Sequence, residues 1–258
     1  MINLDLYPLD TPGTALNALI ERCQADIREE GMFTLPDFMT QAAVAETMKL
    51  SRSRFETESF LHQRSHNIYF KDHVDGLADD HPALVKRDTC NRTLCADQVA
   101  DTPLTNLYEW EPFAAFLAAT MGKSALYPMD DPLARVNAMT YRAGEALNWH
   151  FDRSEFTTTL LLEAPEEGGE FEYRPSLRTD DDPNYDGVAQ LLEGRDDNVK
   201  KISLTPGALN VFKGKNTAHR VTPPKGDSPR TIAVFSYYEE PGVIFSPSER
   251  LGFYGREG

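Results

Sequence analysis

The sequence has few cysteines and no long apolar run. Its three cysteines, Cys23, Cys90 and Cys95, are too few and odd in number for a disulfide framework, which indicates a reducing compartment. No apolar run approaches the ~20 residues that a membrane-spanning helix needs. The N-terminus, Met-Ile-Asn-Leu-Asp-Leu-Tyr-Pro, lacks the basic and apolar segments of a secretory signal. We therefore expect a cytoplasmic protein with no membrane partner.

Basic residues are also scarce, because 26 Lys and Arg stand against 41 Asp and Glu, for a net charge of −15. Nucleic acids and anionic membranes select basic patches, so neither is the expected partner. The charge is compatible with a small cationic substrate and, more simply, with solubility. We expect a small-molecule substrate, and the sequence is compatible with a homodimer.

The N-terminal part of the sequence shows helical patterns. After Thr11-Pro12, apolar residues recur at helical spacing up to Gly31, which predicts an amphipathic helix. Residues 32–35 predict a short strand, and residues 38–53 predict a second helix. Residues 103–122 carry aromatic and aliphatic side chains at helical intervals and predict one long helix. Residues 1–134 should therefore be mainly helical support.

From residue 135 the pattern changes to many short strands separated by turn signals, which is typical of an antiparallel barrel or jelly roll. There is no internal repeat and no low-complexity linker. We predict an α+β protein with a single domain over residues 1–258. Residues 135–240 would form its jelly-roll core, and residues 241–258 would form a C-terminal segment.

The stretch Asn148–Asp152 carries the first chemical signal. His150 and Asp152 are two positions apart, so an extended strand would send both side chains to one face. His219 can complete the set. Two histidines and one carboxylate on one face of a metal, with the other positions open, are the ligands of non-haem Fe(II) oxygenases. Arg230 opens a later strand and could hold the far carboxylate of a cosubstrate in a bidentate pair.

These residues resemble the Fe(II)/2-oxoglutarate dioxygenase superfamily over about residues 137–238. The elements that carry the resemblance occur in the family's order: His150-x-Asp152, the Thr-rich strand after it, Glu167-Gly-Gly-Glu170, Pro206-Gly-Ala-Leu-Asn-Val-Phe212, His219-Arg-Val-Thr-Pro223 and Arg230. The resemblance implies a double-stranded β-helix (cupin-like) core with Fe(II) as cofactor and 2-oxoglutarate and O2 as cosubstrates. The implied reaction oxidises 2-oxoglutarate to succinate and CO2 and hydroxylates a C–H bond.

Two further segments, Asp152-Arg-Ser-Glu-Phe-Thr-Thr-Thr-Leu-Leu-Leu162 and Ser248-Glu-Arg-Leu-Gly-Phe-Tyr-Gly-Arg256, look similar to the carrier-free amino-acid halogenases and their hydroxylase relatives. In the halogenases the metal carboxylate is replaced by Gly or Ala, which vacates a site for halide. Asp152 is present here, so the resemblance implies a hydroxylase. The substrate it implies is a free amino acid with a lysine-like or ornithine-like basic side chain.

Other site residues are assigned from polarity and position. Tyr141 and Thr159 could line the 2-oxoglutarate pocket. Arg87, with Arg92 as the other candidate, could bind the substrate carboxylate, while Glu145 or Glu155 could bind its amine. Asn137 is a further candidate for substrate contact. Trp149 should point away from His150 into the core.

Several alternatives remain open. His62 and His66, four positions apart, could flank a metal on a helix, but a structural or surface role fits such an isolated pair better. The same cofactor chemistry could end in desaturation or cyclisation. A non-catalytic metal-binding or sensing module could retain the same site residues. A zinc-type hydrolase could use the same three ligands. Arg230 speaks against the hydrolase, which needs no 2-oxoglutarate anchor.

Overall fold

The computed structural model describes all 258 residues. Its six α-helices are α1 Thr14–Glu30, α2 Gln41–Thr57, α3 Pro103–Tyr108, α4 Glu111–Met121, α5 Tyr185–Leu192 and α6 Pro247–Tyr254. Gly31 ends α1 in the left-handed conformation, with φ of 75°, which glycine adopts without a Cβ clash. The Thr40 side chain caps α2 by accepting from Ala43 N. None of these helices combines the length and apolar content needed to cross a bilayer.

The strands form two main sheets. The thirteen strands are β1 Met32–Leu35, β2 Phe60–His66, β3 Arg87–Leu94, β4 Tyr127–Pro128, β5 Val136–Tyr141, β6 Leu147–His150, β7 Thr157–Glu163, β8 Phe171–Arg174, β9 Lys200–Ile202, β10 Leu209–Phe212, β11 Ala218–Val221, β12 Arg230–Phe235 and β13 Tyr237–Tyr238. The large sheet has the order β1-β10-β7-β12-β5-β3-β2, and the small sheet has the order β6-β11-β8-β9. Strands β5 to β12 pass back and forth between the two sheets. The fold is therefore the predicted α+β class with a double-stranded β-helix core.

Strand register decides which side chains face the space between the sheets. In the large sheet Arg230 pairs with Tyr141, and Val234 pairs with Thr159. In the small sheet His219 pairs with His150. Because side chains alternate between faces, the inner face carries this polar set and the outer face of the large sheet is apolar.

The main core lies between that outer face and the helical layer. It is a cluster of 31 buried residues, in which Leu160, Val211 and Ala233 of the sheet pack with residues such as Phe113 and Leu117 of α4. Complete burial of a Leu or Phe side chain stabilises the fold by about 1.5–3 kcal/mol. The helices therefore hold the large sheet rigid, so that its inner face can carry polar groups.

A second cluster covers the outer face of the small sheet. Trp149 and Phe151 pack there against Val188 and Leu191 of α5. Trp149 is only 7% exposed, and its side chain lies in this cluster, as the alternation of a strand predicts. Strand β6, which carries His150, is thus anchored from behind.

Two expectations about the elements need correction. Residues 103–122 form two helices, α3 and α4, because Pro112 lies in the first turn of α4, where its ring and missing N–H prevent a continuous helix. The sheet is also not confined to residues 135–240. Strands β1, β2 and β3 lie in the large sheet, where β1 pairs with β10 and β3 pairs with β5. Strand β2 has a polar inner face and therefore lacks the apolar alternation by which a strand is recognised.

The C-terminal segment is tied to the core through one buried carboxylate. Asp131 is fully buried; it accepts hydrogen bonds from Phe245 N at 2.9 Å and from Arg250 Nε at 2.8 Å. It also accepts from the backbone N–H groups of Leu133 and Ala134. Helix α6 is thereby tied to the loop between β4 and β5.

Candidate metal centre

The structure brings His150, Asp152 and His219 together at the inner edge of the small sheet. His150 ends β6, His219 lies beside it on β11, and Asp152 follows two residues after His150. His150 Nε2 lies 3.3 Å from Asp152 Oδ1, and His219 Nε2 lies 3.4 Å from Asp152 Oδ2. One donor atom from each residue lies within 4.8 Å of the others. Three donors therefore converge on one point.

Hydrogen bonds on the far side of each imidazole set its tautomer. His150 Nδ1 lies 2.8 Å from the carbonyl oxygen of Asn148, and His219 Nδ1 lies 3.0 Å from that of Thr217. A carbonyl oxygen can only accept, so each Nδ1 carries the proton. Each Nε2 therefore offers a lone pair to the centre, which is how metal-binding histidines are usually oriented.

The electrostatics favour the metal-binding protonation states. Burial and the neighbouring His219 lower the pKa of His150, so its imidazole is neutral near pH 7. Burial raises the pKa of Asp152, but the electrostatic effect of His219 and the close approach of both imidazoles outweigh it and hold the pKa well below its usual range. The centre offers a neutral imidazole beside an ionised carboxylate without any proton to remove.

The metal carboxylate is positioned by the strands around it. Thr157 Oγ1 donates to Asp152 Oδ2 at 2.5 Å, and Asp152 N donates to the carbonyl of Gly214 at 3.0 Å. A Cβ on Gly214 would lie 2.3 Å from Asp152 Oδ2 and 2.6 Å from Thr157 Oγ1. Only glycine fits at this position.

Arg230 and Tyr141 form a second, separate group on the inner face of the large sheet. They are paired across β12 and β5, and their exposed fractions are 5% and 0%. Arg230 Nη1 and Tyr141 Oη have no hydrogen-bond partner in the protein. Burial lowers the pKa of Arg230 to about 10 and raises that of Tyr141 to about 12, so the guanidinium remains charged at pH 7. A buried cation and a hydroxyl left unpaired in this way call for an anionic ligand.

Comparisons with known proteins agree with this geometry. The family model described as Halogenase D matches residues 17–243, which is most of the chain. The chain belongs to the halogenase D family. A search of the curated proteins with this sequence found no match.

Solved structures share the fold of this halogenase D family protein. AviO1 from Streptomyces viridochromogenes is 20% identical with a TM-score of 0.58, over 92% of this chain and 100% of that one. EctD from S. alaskensis, solved with 2-oxoglutarate and 5-hydroxyectoine, is 17% identical with a TM-score of 0.55, over 84% and 74% of the two chains. A 2OG-Fe(II) oxygenase family oxidoreductase from Burkholderia pseudomallei is 14% identical with a TM-score of 0.52, over 90% and 94%.

Two further residues assigned from the sequence, Thr159 and Asn137, lie on the inner face of the large sheet. Thr159 faces the inside of the barrel and donates a long hydrogen bond of 3.4 Å to the carbonyl of Asn210. Asn137 also lies on the inner face of the large sheet, but its amide donates to the carbonyl of Leu133 and accepts from Tyr254 Oη. Its polar atoms are therefore already engaged.

The charged candidates for substrate binding are arranged as follows. Arg87 is exposed and lines a cavity of about 330 Å³ on the outer face of the small sheet, beside Trp149. Arg92 Nε lies 3.6 Å from Glu145 Oε1. Glu155 pairs with Lys123 at 2.7 Å. The structure thus does not bring Arg87, Glu145 and Glu155 together around the metal ligands.

Sequence reasoning missed several residues beside the centre. Thr157 and Gly214 hold Asp152, and Arg64 lies on the inner face of β2, where its guanidinium stacks on Phe70. A signal for Arg64 was present, because His62, Arg64 and His66 follow one another at intervals of two. That spacing is the signature of one strand face.

Proposed function

We propose that this protein is an Fe(II)- and 2-oxoglutarate-dependent dioxygenase that hydroxylates an unactivated C–H bond of a small free substrate. The single observation that supports it most is the combination of His150, Asp152 and His219 with an unpaired buried cation, Arg230, inside one barrel. A metal-binding module or a hydrolase would need the first group and not the second.

The donor set suits Fe(II). Two imidazoles and one carboxylate bind one face of the ion and leave the other positions for exogenous ligands. The hydrogen bonds from each Nδ1 to a backbone carbonyl orient both rings before any metal arrives. His150, Asp152 and His219 would hold the ion through the three donor atoms that converge on one point.

The interior of the large sheet suits 2-oxoglutarate. Arg230 would bind its distal carboxylate through a charge-assisted, bidentate contact, and the Tyr141 hydroxyl would donate to the same molecule. Gly169 keeps the space beside Arg230 open, because a Cβ there would lie 3.2 Å from Arg230 Cδ. When bound, Fe(II) with 2-oxoglutarate and O2 would supply oxidative decarboxylation to succinate and CO2, coupled to hydroxylation of the substrate.

Asp152 supports hydroxylation over halogenation. Within this family resemblance, a halogenase has Gly or Ala at the corresponding position and leaves room for halide. Here the carboxylate is present and is held by Thr157 and Gly214. The place of a halide is thus taken by a protein ligand.

We assign the substrate as a small molecule, and among small molecules we favour a free amino acid. A lysine-like or ornithine-like side chain, expected from the sequence, would need an available acid. Glu145 and Glu155 instead pair with Arg92 and Lys123. Desaturation or cyclisation by the same centre is the second candidate outcome, and product analysis distinguishes it.

One experiment tests the proposal. Purified apoprotein is titrated anaerobically with Fe(II) and 2-oxoglutarate, and the visible charge-transfer band of their complex is recorded. The same protein is then incubated in air with free amino acids, and succinate and product masses are measured. We expect the band to form, and we expect succinate with a product heavier by one oxygen atom. Absence of the band would refute the dioxygenase proposal, and a product lighter by two hydrogens would favour desaturation or cyclisation.

A further inference from the structure

A cavity of about 330 Å³, which we call the outer cavity, opens on the outer face of the small sheet. On the side of the sheet it is lined by Trp149 of β6 and Arg220 of β11. The opposite wall is apolar and consists mainly of Leu192, at the end of α5, and Val199, just before β9. The outer cavity thus lies between the sheet and the α5 segment that covers it.

The outer cavity and the metal centre lie on opposite faces of the same two strands. Trp149 precedes His150 on β6, and Arg220 follows His219 on β11. Successive side chains of a strand point to opposite faces, so Trp149 and Arg220 point outward while the two histidines point inward. The outer cavity is therefore separate from the space inside the barrel where 2-oxoglutarate would bind.

The two acidic side chains that line the outer cavity already have basic partners. Glu172 accepts from Arg220 Nε at 2.5 Å, and its other carboxylate oxygen lies 2.7 Å from Lys201 Nζ. Asp196 accepts from Arg174 Nε at 2.8 Å. The side chains of Glu172 and Asp196 are only 5% and 7% exposed. Neither carboxylate is therefore free to bind a cationic ligand.

The two arginines that line the outer cavity, in contrast, keep free donors. Arg220 donates to Glu172 through Nε, and its two Nη atoms make no hydrogen bond within the protein. Arg87 has no ion pair and no side-chain hydrogen bond. Arg220 Cζ lies 4.9 Å from the centroid of the Trp149 ring, and this stacking together with the Glu172 contact orients the guanidinium. A planar guanidinium with free N–H groups matches a carboxylate.

We propose that the outer cavity is a second ligand site, which binds a small carboxylic acid with an apolar portion. The carboxylate accepts hydrogen bonds from the Nη atoms of Arg220 and is attracted by Arg87, and the apolar portion packs against Leu192 and Val199. A volume of this size that combines apolar walls with a few polar groups is typical of small-molecule sites. The inference does not depend on the proposed dioxygenase function, because the outer cavity shares no side chain with the metal centre.

Trp149 provides a fluorescent reporter for the outer cavity. The chain has two tryptophans, and the other one, Trp110, packs against the main core on the helical side of the large sheet. Trp110→Phe therefore leaves Trp149 as the only tryptophan. This protein is titrated with benzoate, which has a carboxylate and an apolar ring, and with benzamide, which keeps the ring without the charge. We expect benzoate to change the fluorescence saturably, with a Kd of about 1 mM or lower, and benzamide to bind at least about ten-fold more weakly.

Three variants locate the binding site. Arg220→Gln should raise the Kd for benzoate about ten-fold or more, as loss of a charge-assisted hydrogen bond predicts. Arg87→Gln removes only an exposed charge and should raise the Kd by about two- to five-fold. Arg230→Met removes the buried guanidinium inside the barrel, and its Kd for benzoate should equal that of the wild type. Calorimetry with proteins that retain Trp110 repeats the comparison without the fluorescent reporter.

Several results would overturn the inference. They are the absence of saturable binding up to about 10 mM benzoate, equally tight binding of benzamide, and a wild-type Kd in folded Arg220→Gln. Loss of binding in Arg230→Met alone would place benzoate in the barrel and would also overturn it. Circular dichroism establishes whether Arg220→Gln folds. If it does not fold, Arg87→Gln decides, and an unchanged Kd in that variant overturns the inference.

Discussion

Thr157 Oγ1 donates a hydrogen bond of 2.5 Å to Asp152 Oδ2 and thereby ties the metal carboxylate to β7. Removal of this bond in Thr157→Val should weaken Fe(II) binding by about ten- to a hundred-fold, the usual effect of losing a partner that orients a metal ligand. Thr157→Ser keeps the hydroxyl and should bind as wild type. Anaerobic metal titration provides the measurement, and equal affinity in all three proteins would contradict this role.

Gly214 should tolerate no side chain. In Gly214→Ala the new Cβ would meet Asp152 Oδ2 and Thr157 Oγ1 at less than contact distance, so Asp152 must leave the metal position. We expect loss of Fe(II) binding with the fold retained, as measured by metal titration and circular dichroism. Gly252→Ala is the matched control, because nothing lies within 4 Å of a Cβ added there.

Arg230 should destabilise the protein when no cosubstrate is bound and should stabilise its complex with 2-oxoglutarate. The guanidinium is buried without a carboxylate, so Arg230→Met should raise the Tm of the cosubstrate-free protein. The same change should raise the Kd for 2-oxoglutarate at least ten-fold, the effect of losing a charge-assisted contact, which is worth about 1.5–3 kcal/mol. Thermal unfolding with and without 2-oxoglutarate measures both effects. A variant that 2-oxoglutarate stabilises as strongly as wild type would place the anchor elsewhere.

Asp152→Gly should abolish hydroxylation. The variant loses one of three metal ligands and the negative charge that balances the ion. Product formation is measured by mass, with Asp88→Gly, an exposed aspartate of β3, as the control. Wild-type turnover in Asp152→Gly would show that another carboxylate binds the metal.

Asp131 should stabilise the protein in a pH-dependent way. Burial raises its pKa, but Arg250 and three backbone N–H groups outweigh this and leave the pKa below the usual value. Its contribution is therefore complete above the unfolded pKa of about 3.9 and is lost as the pH falls towards the folded value. Asp131→Asn should cost about 3 kcal/mol in urea unfolding at pH 7. The difference from wild type should shrink below about pH 4, and a constant difference would refute the assignment.

The sequence predicted the convergence of His150, Asp152 and His219 and the core topology well, because both depend on local patterns. The spacing of two between His150 and Asp152 determines that they share a face on any extended strand, and turn residues between short strands determine an antiparallel core. It predicted β2 and the break before α4 poorly. The polar inner face of β2 removes the apolar alternation, and Pro112 acts on one turn inside an otherwise helical pattern.

The sequence by itself determined that two imidazoles and a carboxylate, Asp152, are available as a candidate metal-binding set, since this follows from side-chain chemistry and order along the chain. Only the tertiary structure decided which charges face the centre. Arg64 and Arg87 are equivalent by type, as are Glu145 and Glu155, yet the fold stacks Arg64 on Phe70, exposes Arg87 and pairs the two glutamates with other cations. That choice depends on contacts between strands far apart in the chain, which no local pattern encodes.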